Sequence, residues 1–132
     1  MNWVERHLGG IMIAIGLIHL TIGIVRGSRI WADMWDDGLF STIGANHERG
    51  EILWFCATGL LIICAGLLMR AQIRATGTLP LSFGIVMLVL SVAIAVALPA
   101  SGVWAVMAVA LVAIRMATRV IQPATFAHGA DD

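Results

Sequence analysis

Four long apolar segments, separated by short polar stretches, dominate the chain. The first, LGGIMIAIGLIHLTIGIV at Leu8–Val25, has roughly the 20-residue length that an α-helix needs to cross a bilayer. The stretch Leu79–Ile114 carries no charge. As one helix it would be about 50 Å long, which exceeds the ~30 Å hydrocarbon core. Because Pro99–Gly102 interrupts this stretch, we expect it to fold back there. The pattern therefore predicts four membrane spans, at about residues 8–25, 52–69, 81–98 and 102–121.

The predicted fold class is all-α, a four-helix transmembrane bundle with a short interfacial helix between helices 1 and 2. The bundle is expected to occupy residues 1–122, and residues 123–132 are expected to form a disordered tail. The short helix is predicted from RIWADMWDDGLF, in which apolar and acidic residues fall largely on different faces. Such a helix lies at the membrane interface or forms a lid over an outward-facing pocket. Its apolar face comprises Ile30, Trp31, Met34, Trp35 and Leu39.

The composition favours lipid over water as the main solvent of the chain. Hydrophobic residues make up 60% of the sequence and charged residues only 12%, about half the charge of a typical soluble domain. The net charge is zero and no basic patch indicates a nucleic-acid partner. The lipid bilayer is therefore the expected partner. Small residues recur more often than one four-helix core needs, which hints at a homo-oligomer.

His19 is the only ionisable side chain deep in the first apolar segment. It lies on a stripe with Gly9, Gly16 and Gly23, which recur every seven residues and allow a neighbouring backbone to approach. An imidazole in hydrocarbon needs a polar partner. The ring either bonds structurally to a neighbouring carbonyl, or acts as a proton donor or acceptor, or binds a ligand. Haem with one axial histidine is left open, and no protein metal site is predicted.

A second group of polar and aromatic residues lies at the other end of the first loop. His47, Glu51 and Trp54 share one face of the predicted second span, where a histidine and a carboxylate one turn apart could bind a metal or relay a proton. A plain helix start capped by Asn46 explains the same residues. Four tryptophans gather at this outer end, as an interfacial belt or as an aromatic pocket. The predicted catalytic residues are His19 and Glu51, and the predicted ligand-binding residues are His47, Trp54, Trp104, Trp31 and Trp35.

The arginines predict the orientation in the membrane. Five lie on the side that holds both termini, whereas the other side holds three that are offset by acidic residues. The positive-inside rule therefore predicts a multi-pass protein of the plasma membrane with both termini in the cytoplasm. The five are Arg6, Arg70, Arg74, Arg115 and Arg119, and the three are Arg26, Arg29 and Arg49.

Four motifs follow one another along residues 6–118. They are Gly-x-x-His at Gly16–His19, DGLFSTIG at Asp37–Gly44, RGEILWFCATGLLIICAGLL at Arg49–Leu68 and LPASGVW at Leu98–Trp104. This order resembles a group of small four-span bacterial membrane proteins classed as a domain of unknown function. The resemblance implies the four-helix fold and a bacterial inner membrane, but it supplies no activity.

Three functions are consistent with these features. The first is a membrane protein that binds a small hydrophobic ligand in an outer-leaflet cavity, with isomerase-like catalysis by His19 as its enzymatic form. The second is a structural or accessory membrane subunit. The third is a small transporter, although the first span lacks the carboxylate that usually couples proton-driven cation export.

Overall fold

The described part of the chain is entirely helical. The computed structural model describes residues 3–44 and 46–126, with side chains described up to Arg119. No strand occurs among these residues, so the predicted all-α class is confirmed, as is the short helix after the first long one. The five helices are α1 (Trp3–Arg26), α2 (Ser28–Asp36), α3 (His47–Thr76), α4 (Leu81–Ala97) and α5 (Val103–Phe126).

Three of the long helices extend beyond the apolar segments that predicted them. α3 begins where the Asn46 side chain accepts a hydrogen bond from the Arg49 backbone at 3.2 Å, as expected for a cap. It ends at Thr76, and the next residue, Gly77, has a φ of 74°, which suits a residue without a side chain. α5 continues through Pro123 to Phe126, although proline inside a helix lacks one backbone hydrogen bond. Residues 123–126 of the predicted tail are thus helical, and residues 127–132 lie outside the described residues.

The closest packing joins α1 and α3, which run antiparallel. A Cβ atom added at Gly9 would lie 2.7 Å from the Gly66 carbonyl oxygen and 2.7 Å from the Arg70 backbone nitrogen. One added at Gly16 would lie 2.9 Å from the Ile63 nitrogen. These distances leave no room for a methyl group, so the two backbones touch along the glycine stripe that the sequence predicted.

α4 and α5 form a second close pair, which packs on the first through α1 and α5. A buried cluster joins side chains from α1, α3 and α5 with Leu79, which precedes α4. At the end of the molecule that holds Trp3, the Glu5 carboxylate accepts a hydrogen bond from Arg119 at 2.8 Å. Glu5 is only 3% exposed, and a buried carboxylate requires such partners. The cluster comprises Leu8, Met12, Met69, Ile73, Leu79, Val109, Ala113 and Met116.

The outward surfaces of the helices are strongly apolar. Leu68 is 71% exposed, and Val96 is 81% exposed. α1 and α3 are each long and apolar enough to cross a membrane, and α4 is a shorter apolar helix of 17 residues. Length and composition are the basis of this assignment.

Gly9→Ala should weaken the contact between α1 and α3. Its methyl group would meet backbone atoms, which cannot move without separating the helices, so we expect the free energy of unfolding to fall by about 1–3 kcal/mol. Thermal or denaturant unfolding of the purified protein measures this change.

Gly10→Ala is the matched control for this prediction, because nothing lies within 4 Å of its added Cβ. Alanine also favours helix over glycine by about 1 kcal/mol, so this variant should be as stable as the parent or more stable. Equal losses in the two variants would show that the close contact contributes nothing.

Candidate ligand-binding site

α2 leaves α1 after a one-residue break and packs at once against the start of α3. The Gly27 nitrogen donates to the Gly23 oxygen at 2.9 Å, and the Gly27 oxygen accepts from the Trp31 nitrogen at 2.9 Å. A Cβ added at Gly27 would lie 2.7 Å from the Ile52 side chain. The missing side chain therefore lets α2 begin in contact with α3.

The short helix turns one side inward and its aspartates outward. Met34 is only 3% exposed, and Trp31 is half-buried, whereas Asp33 and Asp36 are exposed. Trp35, which the sequence placed on the apolar face, is 71% exposed. α2 is thus amphipathic, with Met34 and Trp31 as its inward anchors.

The segment 38–44, which links α2 to the region before α3, has an irregular backbone. Three of its residues have positive φ, namely Gly38 (84°), Ser41 (57°) and Gly44 (46°). This conformation is costly for Ser41, which carries a side chain. Local strain of this kind is retained where surrounding contacts hold the backbone in place.

Arg49 in the first turn of α3 supplies those contacts. Its Nη1 donates to the Thr42 carbonyl oxygen at 2.9 Å and to the Thr42 hydroxyl, and its Nη2 pairs with the Asp37 carboxylate. The Arg49 side chain is 15% exposed, whereas that of Asp37 is 61% exposed. One guanidinium group therefore joins the end of α2, the segment 38–44 and α3.

A pocket of about 480 Å³ lies between α2, the segment 38–44 and α3. Its walls are mostly apolar, with two hydroxyl groups from Ser41 and Thr42. The Trp31 Nε1 atom is buried and has no hydrogen-bond partner among the described residues. An apolar pocket with a few polar groups is typical of a small-molecule site. The lining residues are Trp31, Met34, Leu39, Ser41, Thr42, Ile43, Gly44 and Leu53.

A second hollow of about 310 Å³ adjoins the first and shares Ile43 and Gly44 with it. It brings together His47, Glu51 and Trp54, the three residues whose spacing placed them on one face of the helix. All three are exposed, so this hollow is open to the surroundings. It is also lined by Asn46 and Gly50.

His19 lines neither pocket. Its ring stacks on the Phe55 ring, with centroids 3.9 Å apart and planes inclined by 13°. The imidazole thus faces α3, as its position on the glycine stripe indicated. Its Nε2 atom is buried and makes no hydrogen bond within the described residues, so that atom does not make the predicted structural bond to a carbonyl.

Trp35 and Trp104 also lie outside both pockets. Trp104 is 55% exposed, and its Nε1 donates to the Pro99 carbonyl oxygen at 2.9 Å. It therefore braces the connection between α4 and α5. Within residues 3–44 and 46–126, no group of three or more histidine, cysteine, aspartate or glutamate side chains could hold a metal ion.

Sequence reasoning did not single out several residues that shape the site. Phe55, Leu53 and Ile43 look like ordinary apolar residues in the sequence, and Arg49 looks like a charge in a helix's first turn. Their contacts with His19 and with the pocket depend on how α3 is aligned with α1 and α2, which the sequence does not show. For Arg49 the sequence offers one indication of its partners, because Asp37 and Thr42 lie only 12 and 7 residues before it.

The structure thus defines an all-helical protein with an apolar pocket beside a short amphipathic helix. The chain belongs to a family of unknown function, DUF6463, whose profile matches residues 4–120. Neither the curated proteins nor the solved structures contain a match to the chain.

Phe55→Leu should change the environment of His19 measurably. Protons above the face of an aromatic ring are shifted upfield in NMR spectra, so removing the Phe55 ring should move the His19 imidazole signals downfield. Phe83→Leu is the control, because Phe83 belongs to α4. Unchanged imidazole signals in Phe55→Leu would contradict the stacked arrangement.

Proposed function

We propose that the chain is a four-span protein of the bacterial inner membrane with both termini in the cytoplasm. Two helices long enough to cross a membrane support this topology, as does the exposed apolar surface of the others. α4, at 17 residues, is about 25 Å long and at the lower limit for a span. In this topology the arginine-rich side faces the cytoplasm and α2 lies at the outer interface.

The function that we propose is binding of a small hydrophobic ligand in the pocket between α2, the segment 38–44 and α3. The pocket itself carries the proposal, because its volume and apolar lining are those of small-molecule sites. Its place at the outer interface would let an apolar molecule enter from the bilayer. Trp31 supplies a flat apolar wall, and the Ser41 and Thr42 hydroxyls could orient a polar group.

An enzymatic form of this proposal assigns proton transfer to His19 and Glu51. Phe55, which stacks on His19, follows Glu51 by one helical turn on α3. The His19 imidazole therefore lies about one turn of α3 away from Glu51 along the α1–α3 pair. A buried imidazole nitrogen without a partner is a candidate acid or base. Proton transfer would require a substrate that reaches both His19 and Glu51. Ligand binding is therefore the primary proposal.

Photolabelling with benzophenone tests the binding proposal. In membranes or lipid nanodiscs we expect the adduct in the tryptic peptide from Ile30 to Arg49, which contains the segment 38–44 and most of α2. Leu53→Trp should fill the pocket and reduce this labelling by about tenfold, the effect of losing roughly 1.4 kcal/mol of binding free energy.

Leu61→Trp provides the matched control, because Leu61 is on the same helix and is 67% exposed. This variant should label like the parent. Equal labelling of that peptide in Leu53→Trp and the parent would contradict ligand binding in this pocket and favour an accessory subunit.

An absorption spectrum of the purified protein tests the haem alternative. A Soret band that disappears in His19→Ala would replace the proposal with a haem-binding function. Under the ligand-binding proposal, the spectra of the parent and of His19→Ala should be the same in that region.

A further inference from the structure

We propose that residues 38–44 form a movable lid beside the pocket at α2, and that Arg49 is the latch that holds this lid against α3. The inference rests on the pocket of the proposed function. It adds how the pocket opens and which residue controls the opening.

The lid supplies most of the wall of the pocket. Five of the eight lining residues belong to it, whereas α2 contributes Trp31 and Met34 and α3 contributes Leu53. Moving the lid therefore opens the pocket without moving a long helix. Because the α1–α3 contact is tight, the lid is the part that can open at the lowest cost. The five lid residues are Leu39, Ser41, Thr42, Ile43 and Gly44.

Few hydrogen bonds hold the lid in the described part of the chain. The backbone bonds at its two ends are local, from Gly38 to Trp35 and from Asn46 to Ile43. Only Arg49 reaches across to it, through the Thr42 carbonyl and hydroxyl groups. The same guanidinium pairs with Asp37 immediately before the lid. Among the described residues, one side chain thus makes the non-local polar contacts that hold the lid against α3.

The chemistry of arginine suits a latch of moderate strength. A guanidinium fork can bond to two groups at once, which the single ammonium of lysine does less well. Asp37 is well exposed, so water can replace Arg49 as its partner at modest cost. The positive φ of Ser41 also works against the closed lid. These features favour a lid that opens and recloses.

The outer side of the lid is apolar. Phe40 is 98% exposed, and its neighbour Leu39 lines the pocket. A lid at the membrane interface would place Phe40 among lipid headgroups and acyl chains. Opening would then expose the pocket toward the bilayer, where hydrophobic molecules are concentrated.

Thiol labelling at the floor of the pocket tests the lid without any ligand. The full-length protein would carry Leu53→Cys, with the native thiols removed by Cys56→Ala and Cys64→Ala. N-ethylmaleimide, which is uncharged and reaches the pocket from water or from the bilayer, should react more slowly at position 53 with the latch than without it. Arg49→Gln should accelerate labelling by about tenfold, since a hydrogen bond to a charged group contributes about 1.5 kcal/mol or more. Arg49→Lys should give an intermediate rate.

Arg29→Gln is the matched control, because Arg29 is exposed on α2 and lines neither pocket. It should label at the parent rate. Hydrogen–deuterium exchange should also rise in residues 38–44 of Arg49→Gln and stay unchanged in the middle of α3. If Arg49→Gln fails to fold, Asp37→Asn removes one latch contact without altering α3 and should accelerate labelling by a smaller factor.

The outcomes separate this inference from the proposed function. Equal thiol labelling and equal exchange with and without the latch would overturn the lid, whatever photolabelling shows. Faster labelling without the latch, combined with no benzophenone adduct in the parent, would support the lid and overturn the proposed ligand class.

Discussion

The backbone contact between α1 and α3 is the constraint on which the other features depend. At Gly9 and Gly16 the partner backbone lies so close that no methyl group fits. This contact fixes the register of the two helices. If either helix moved along the other, a larger side chain would replace glycine at the contact and push the backbones apart. That register brings Ile52 to the break at Gly27 and Phe55 to His19. The position of α2, and hence of the pocket beside it, follows from this contact.

The two ends of the molecule are built differently. At the end that holds Trp3, the Glu5–Arg119 ion pair and the apolar cluster join α1 to α5. At the α2 end, Arg49 holds a segment that carries three positive φ angles, and two hollows meet. A rigid helix pair thus supports an irregular, weakly held region, which is where binding sites commonly occur.

The features that were predictable from the sequence are those with local or periodic causes. The long helices follow from apolar length, the close approach of another backbone to α1 from the seven-residue glycine spacing, and the α3 start from Asn46. That α3 is the partner is known only from the structure. The site was predicted only in part, because a pocket depends on which side of each element faces its neighbour. His47, Glu51 and Trp54 share a helix face and meet in one hollow. Trp35 and Trp104 have the same chemistry but point elsewhere, and the stacking of Phe55 on His19 depends on tertiary register.

A buried polar atom without a hydrogen-bond partner among the described residues lies in the wall of the pocket beside α2. Within the described residues three such atoms occur, namely His19 Nε2, Trp31 Nε1 and Ser101 Oγ. Of these residues, Trp31 lines the pocket beside α2, whereas His19 and Ser101 line neither hollow. Each buried group that lacks a hydrogen bond costs about 1–3 kcal/mol, so such groups are rare unless strain or function retains them. The buried Glu5 carboxylate, by contrast, is paired with an arginine. The described residues leave the Trp31 Nε1 donor unpaired in the wall of the pocket beside α2, where a hydrogen-bond acceptor would remove this cost.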